Sequence, residues 1–245
     1  MSPSEKIKYI SNWIKSYVDQ MPSKAQSLII GISGGIDSSV SSTLSAMTGI
    51  KTIVLTMPIR QIDNQHDLSL KHQEWLKKNF NNVEVHTINL DKLFDSFSST
   101  LKEFDNEHGL ANSRARLRMT TLYQVAAANN GIVVGTGNKV EDFGVGFYTK
   151  YGDGGVDISP IADCNKTDVW EIGRELNILK EIIDAAPTDG LWDDGRTDEG
   201  QLGLKYSELE KAMDNPNSPN REKYEKIRKL NLHKMEPIPV CKIPN

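Results

Sequence analysis

Apolar residues recur at Ile7, Ile10, Ile14 and Val18, a spacing of three or four that places them on one face of a helix over Ser4 to Met21. The pattern then changes. A short apolar run from Ser27 to Ile32 reads as a buried strand, Ser38 to Met47 as a helix ending near Gly49, and Ile53 to Met57 as a second strand closed by Pro58. Strand, helix and strand in that order make a right-handed, parallel β-α-β unit. The alternation continues with a helix over Asp67 to Phe80, a strand over Val83 to Asn89 and a helix over Leu90 to Phe104. The stretch Glu103 to Gly109 reads as a loop before a long helix, Asn112 to Asn130, with Asn112 or Ser113 as its cap, and Ile132 to Gly135 as a further strand. Beyond the glycine-dense stretch Gly144 to Gly155 comes a helix over Asp168 to Leu176, introduced by Lys166 and Thr167. Thr188 to Gly203 reads as a mobile acidic loop, and helices over Tyr206 to Met213 and Arg221 to Leu230 precede a Pro-rich tail. The expected fold is α/β around a parallel sheet, one domain over residues 1–245, without internal repeat or interdomain linker.

Composition narrows the setting. A 245-residue chain with 38% hydrophobic residues can bury an ordinary core. No apolar run reaches bilayer length and no export leader opens the chain, so a cytoplasmic location without membrane association is expected. A net charge of -4 speaks against a broad nucleic-acid surface. Cys164 and Cys241 are too few and too far apart for a disulfide framework or a four-ligand zinc site, and the histidines show no metal-ligand spacing.

The chemistry concentrates where the first strand meets its helix, in the string GISGGIDSS from Gly31 to Ser39. Gly34 and Gly35 let main-chain N–H groups approach a ligand, and the new helix adds unpaired amides and its positive dipole end. A phosphate fits such a nest. Ser33, Ser38 and Ser39 add hydroxyls, while Asp37 belongs beside an anion only where a cation such as Mg²⁺ bridges the two. No Gly-Lys-Ser/Thr closes a Walker loop, and no G-x-G-x-x-G is present. The G-x-S-x-G of a hydrolase elbow is satisfied, which would make Ser33 a nucleophile served by a later histidine such as His233. An elbow normally follows several strands, however, and one helix and one strand precede this one. A structural glycine turn and a nucleotide sensor without chemistry are the blander alternatives.

Other candidates lie at strand ends. Thr136 and Glu141 follow the strand ending at Gly135, on the rim where the glycine loop lies, so Glu141 is a candidate second carboxylate for a metal held by Asp37. Arg60 and Gln65 follow the second strand and are candidate nucleotide neighbours. Of Arg114, Arg116 and Arg118 on the long helix, one or two can face a ligand. Phe147 to Gly155 mixes aromatics, Lys150 and Asp153 in a glycine frame suited to a flexible loop that closes over a substrate.

The string SGGIDSS resembles the pyrophosphate loop of ATP pyrophosphatases. Four further segments resemble bacterial and archaeal NAD synthetases: NSRARLRM from Asn112, VGTGN from Val134 through to Glu141, FYTKYGDGGVD from Phe147 to Asp157, and Ala186 to Thr188 together with His233 and Lys234. The resemblance implies ATP contacts at Gly31, Ile32, Ser33, Gly34, Gly35, Ile36, Asp37, Ser38, Thr136, Lys166 and Thr188. It implies Mg²⁺ at Asp37 and Glu141, with Asp37, Lys166 and Glu141 as the catalytic group. Deamido-NAD would contact Arg116, Lys150, Asp157, His233 and Lys234. The stretch between Glu141 and Lys150 is one residue longer than in some relatives, which leaves Asp142 as the alternative metal ligand. The family implies a homodimer with the dinucleotide site at its interface, and adenylation of the acceptor carboxyl followed by attack of ammonia. Glutamine-dependent relatives carry a separate amidase domain for which this chain leaves no room, so free ammonia is the expected donor. Another amidotransferase-type ATP pyrophosphatase is the runner-up.

Overall fold

The computed structural model describes residues 1–60, 63–188, 191 and 196–244, with 63–65 as backbone only. The chain opens with α1 (Pro3–Gln20), whose Ile7, Ile10, Ile14 and Val18 are buried as their spacing requires. Then follow β1 (Ser27–Gly31), α2 (Ile36–Met47), β2 (Lys51–Thr56), α3 (Asp63–Asn79), β3 (Val83–Thr87), α4 (Asp91–Thr100), α5 (Glu107–Ala128) and β4 (Gly131–Val133). A π-helix (Lys139–Val145) leads towards α6 (Lys166–Glu175), α7 (Lys180–Ile183), α8 (Asp198–Leu202), α9 (Tyr206–Asp214) and α10 (Arg221–Met235).

Among the described residues four strands form one parallel sheet in the order β3-β2-β1-β4. Chain order runs outward from β1 to β3 and then returns to the other side of β1, so strand order reverses between β1 and β4. In open α/β sheets ligands bind at such a switch point, beyond the carboxyl ends of the strands. Here those ends are the glycine loop after β1 and the Thr136 to Glu141 segment after β4. Both faces of the sheet are covered: Leu28 and Ile30 join the core with α1, α2 and α6, while Ile29, Ile53 and Val133 face α4 and α5. Among the described residues no helix is long and apolar enough to cross a membrane.

Several boundaries differ from the sequence expectation for local reasons. The long helix α5 begins at Glu107, because Asn106 Oδ1 accepts from Gly109 N at 2.7 Å and caps it there. Asn112 and Ser113 are therefore inside the helix and not at its cap. Likewise α6 starts at Lys166, with Asn165 and Asp168 forming the capping box. Part of the expected acidic loop is α8, capped by Thr197; Asp189, Asp193 and Asp194 lie outside the described residues. The glycine frame after the π-helix is tied down and not an open flap. Thr149 Oγ1 donates to Asn112 Oδ1 at 2.6 Å, Tyr148 OH to the Lys234 carbonyl at 2.6 Å, and buried Gly152 lies so close to Ala115 that a Cβ would meet its methyl at 2.9 Å.

The Glu141 to Lys150 stretch begins within the π-helix. Gly146 N bonds the Glu141 carbonyl five residues back, a wider turn than an α-helix makes. Its end carbonyls are taken by α10: Arg228 donates to those of Phe143 and Gly144, and Asn231 Nδ2 to that of Val145 at 2.9 Å.

Candidate active site

The glycine loop is built from short-range contacts. Gly34 takes a φ of 92°, open to glycine and strained for other residues. Gly35 caps α2 without a side chain. Ser33 N donates to Ser38 Oγ at 3.2 Å, and Ser38 Oγ donates to the Gly35 carbonyl at 3.1 Å, which closes the loop over the helix start. This orients the first-turn amides of α2 towards the cleft, as an anion site requires. Ser33 Oγ also accepts from Gly35 N at 3.2 Å, so its hydroxyl is part of the loop.

Asp37, in the first turn of α2, meets residues from two distant segments. Its Oδ2 accepts from Lys166 Nζ at 2.6 Å and its Oδ1 from Asn138 Nδ2 at 2.9 Å. Lys166 Nζ also donates to Glu141 Oε1 at 2.8 Å, and Tyr206 OH donates to the same oxygen at 2.5 Å. Asn138 has one reading in this network, because its oxygen accepts from Val140 N and Glu141 N at 3.0 Å each while its NH₂ faces a carboxylate. The Lys166 ammonium stands 4.8 Å from the centre of the Tyr206 ring.

Burial sets the electrostatics. Desolvation would lower the Lys166 pKa, but Asp37 and Glu141 beside it hold it above the ordinary lysine range. Desolvation likewise raises Asp37, and Lys166 only partly opposes it. Glu141 ends below its ordinary value, since Lys166 and the Tyr206 hydroxyl outweigh its burial. Burial, then Glu141 and Asp198, push the Tyr206 phenol far up, so it stays a donor. Asp142 has no hydrogen bond to Lys166: its carboxyl borders the same cavity but packs over Gly137, where a Cβ would lie 1.8 Å from Oδ2. Burial and the nearby Asp153, Glu141 and Asp37 raise its pKa well above the carboxylate range.

Asp37, Glu141, Asp142 and Lys166 line one cavity of about 260 Å³. Gly31 to Ser38, Thr136, Glu141, Lys166 and Thr188 all border it, so the structure gathers every residue expected to touch ATP. Met57, Met119, Leu122 and Val156 form an apolar end, with Arg118 beside them, its Nε on the Met57 carbonyl at 2.9 Å.

The expected deamido-NAD residues lie outside that cavity. Four of them form a neighbouring strip: Arg116 Nε donates to the Lys150 carbonyl at 3.3 Å, Lys150 Nζ to the His233 carbonyl at 2.9 Å, and Lys234 Nζ to the Tyr148 carbonyl at 2.8 Å. Asp157 stands apart, accepting from Tyr123 OH at 3.0 Å and from Val133 N at 2.7 Å. Arg60 is not among the residues lining the cavity; it pairs with Asp95 at 2.5 Å and its amide with Asp91 at 2.6 Å. The Gln65 side chain lies outside the described residues. Sequence reasoning missed Asn138, Asp198 and Tyr206. For Asn138 a signal existed, since an Asn immediately before a helix start is a capping residue. None marked Tyr206, whose spacing reads as core.

A parallel sheet with an anion-binding glycine loop at its switch point, faced by a buried lysine between two carboxylates, defines a nucleotide-dependent α/β enzyme. The NAD synthase family profile matches residues 6–243. The NH(3)-dependent NAD(+) synthetase of Carboxydothermus hydrogenoformans is 38% identical over 84% of this chain and 83% of its own. The NMN synthetase of Francisella tularensis superposes with a TM-score of 0.89 at 33% identity, covering 100% of this chain and 99% of that one. An NH3-dependent NAD synthetase from Campylobacter jejuni shares the fold, with a TM-score of 0.79 at 22% identity, covering 99% of this chain and 100% of that one. The chain belongs to the NAD synthase family and is a ligase. The hydrolase reading of Ser33 falls with that assignment.

Proposed function

We propose that the chain amidates deamido-NAD to NAD with ammonia at the expense of ATP, releasing AMP and pyrophosphate. The observation that carries this reading is the convergence of Asp37, Glu141 and Lys166 opposite the glycine loop. The nicotinate carboxylate attacks the α-phosphorus, the bond to the β-phosphate oxygen breaks, and pyrophosphate leaves. Ammonia then adds to the acyl carbon of the adenylate, AMP departs with the former carboxylate oxygen, and a proton is lost from nitrogen. Loop amides and Lys166 bind phosphate oxygens and bear the charge of the in-line displacement, so the protein acts mainly by positioning. The Arg116, Lys150, His233 and Lys234 strip orients the acceptor, and Asp157 contacts it from β4's side.

Magnesium fits this site on its donor set. Among the described residues the cavity brings together the carboxyl groups of Asp37, Glu141, Asp142, Asp153 and Asp198 against the cations Lys166 and Arg118. A polyphosphate entering so acidic a cleft needs added hard cations, and carboxylate oxygens are suitable donors. Asp37 and Glu141 would hold the ion, which supplies charge neutralisation at the phosphates. Glu141 is preferred to Asp142 because it shares Lys166 with Asp37. Exposure of Arg116, Asp157 and His233 supports a homodimer that covers the acceptor. The whole chain then acts as one catalytic domain, in the cytoplasm.

A second reading, in which the acceptor is nicotinate mononucleotide, is favoured by the likeness to the Francisella tularensis NMN synthetase. Mass spectrometry of reactions containing ATP, Mg²⁺, ammonium and either acceptor tests both. The first reading expects NAD with AMP and pyrophosphate, and a higher kcat/KM for the dinucleotide. A higher kcat/KM for the mononucleotide selects the second, and AMP formation from neither acceptor would refute both.

A further inference from the structure

We infer that Lys166 makes the Asp37 and Glu141 pair selective for a divalent ion that arrives with nucleotide over the free ion. The inference rests on the reading that these carboxylates hold magnesium, and adds to it an order of binding. It follows from what already occupies their oxygens. Lys166 Nζ, on a side chain 2% exposed, lies 2.6 Å from Asp37 Oδ2 and 2.8 Å from Glu141 Oε1. Asn138 takes the other oxygen of Asp37, and the Tyr206 hydroxyl adds to Glu141 Oε1. The place between the two carboxylates is therefore held by an ammonium.

A free divalent ion entering there meets a like charge at close range in a cleft shielded from water, where repulsion is much stronger than in bulk solvent. Displacing the ammonium without a new partner strands a buried charge, which is costly. Phosphate oxygens at the Gly34 and Gly35 loop provide that partner, because the loop and Lys166 line the same cavity. The lysine thus moves to the phosphates as nucleotide binds, and the carboxylates are released in the same event. Metal and nucleotide bind cooperatively, each raising the affinity for the other.

The test uses Mn²⁺ as probe on the full-length, nucleotide-free protein, followed by calorimetry and by the paramagnetic signal of the free ion. Wild type is expected to show no saturable binding below the millimolar range. Lys166→Met and Lys166→Gln, although inactive, are expected to bind Mn²⁺ about tenfold more tightly or better. Their melting temperatures should rise with Mn²⁺ while that of wild type does not, a readout that still works if a variant is poorly folded without metal. Tight nucleotide-free binding by wild type, or no gain in either variant, overturns the inference. Asp37→Asn separates it from the reading beneath. If that variant raises the magnesium needed for turnover while the Lys166 variants gain nothing, the metal reading stands and the inference fails. If it leaves the magnesium requirement unchanged, the metal reading fails and the inference goes with it.

Discussion

Asn138 donates to Asp37 Oδ1 at 2.9 Å, joining residues 101 positions apart in sequence. The same side chain caps the π-helix through Val140 N and Glu141 N. One buried amide therefore fixes the carboxyl ends of β1 and β4 relative to each other. Asn138→Ala removes a helix cap and a donor to a charged group, effects worth about 1 and about 1.5–3 kcal/mol. Partial relaxation leaves an expected stability loss of about 2 kcal/mol, together with weaker ATP binding. Urea titration and calorimetry check this; an unchanged denaturation midpoint would remove Asn138 from its linking role.

Tyr206→Phe keeps shape and burial but deletes the O–H that reaches Glu141 Oε1 at 2.5 Å. A hydrogen bond to a charged group is worth about 1.5–3 kcal/mol, so kcat should fall about tenfold or more. KM for the acceptor should stay near wild type, because the acceptor strip is made by other elements. A fall in kcat/KM that comes wholly from KM would place Tyr206 on the acceptor side.

The legible and illegible parts of this fold differ by the distance over which their causes act. The β-α-β order and the glycine loop were readable because hydrophobic period and turn chemistry are local, and the loop after β4 was readable as rim because parallel strands share an end. The start of α5 was missed although Asn106 followed by Glu107 is a helix-opening pair; the polar run around them looked like a loop. The π-helix could not be read at all. Its wide turn depends on Arg228 and Asn231 of α10, more than eighty residues away, taking the carbonyls it leaves open. The place of Tyr206 depends in the same way on α9 packing beneath the cleft, which no spacing within α9 announces.

Gly146 closes the π-helix with a φ of 68°, and a Cβ there would lie 2.6 Å from Asn231 Cβ. Gly146→Ala therefore combines left-handed strain of about 1 kcal/mol with a clash against the side chain that holds the Val145 carbonyl. Destabilisation of about 2 kcal/mol or more is expected, with loss of activity through displaced Glu141. Gly49→Ala is the control, since its φ is 77° but nothing lies within 4 Å of the added Cβ; it should cost stability and spare kcat. Equal kcat values for the two variants would disconnect the π-helix from the site.

His72 gives the fold a defined sensitivity to acid. It is fully buried on α3, its Nε2 lies 3.0 Å from Ser42 Oγ, and its ring stacks on Trp75 at 5.6 Å. Among the described residues its Nδ1 has no hydrogen-bond partner, so a second proton there would be unsolvated. Burial lowers its pKa from 6.5 to about 4, with a backbone contact at Ser39 only partly opposing. Above 6.5 both folded and unfolded chains hold the ring neutral, and stability is complete. Between 6.5 and about 4 the unfolded chain takes up a proton that the folded one refuses, so stability falls as pH falls; below about 4 both are protonated and the loss levels off. The total is about 3 kcal/mol. Carboxylates titrate in the lower part of that range too, so the measurement is a difference: urea midpoints of wild type and His72→Leu from neutral pH down to the acid limit of folding. The gap between the two curves should narrow or reverse in favour of the variant as pH drops. Parallel curves would mean that His72 is protonated as readily in the fold as in the open chain.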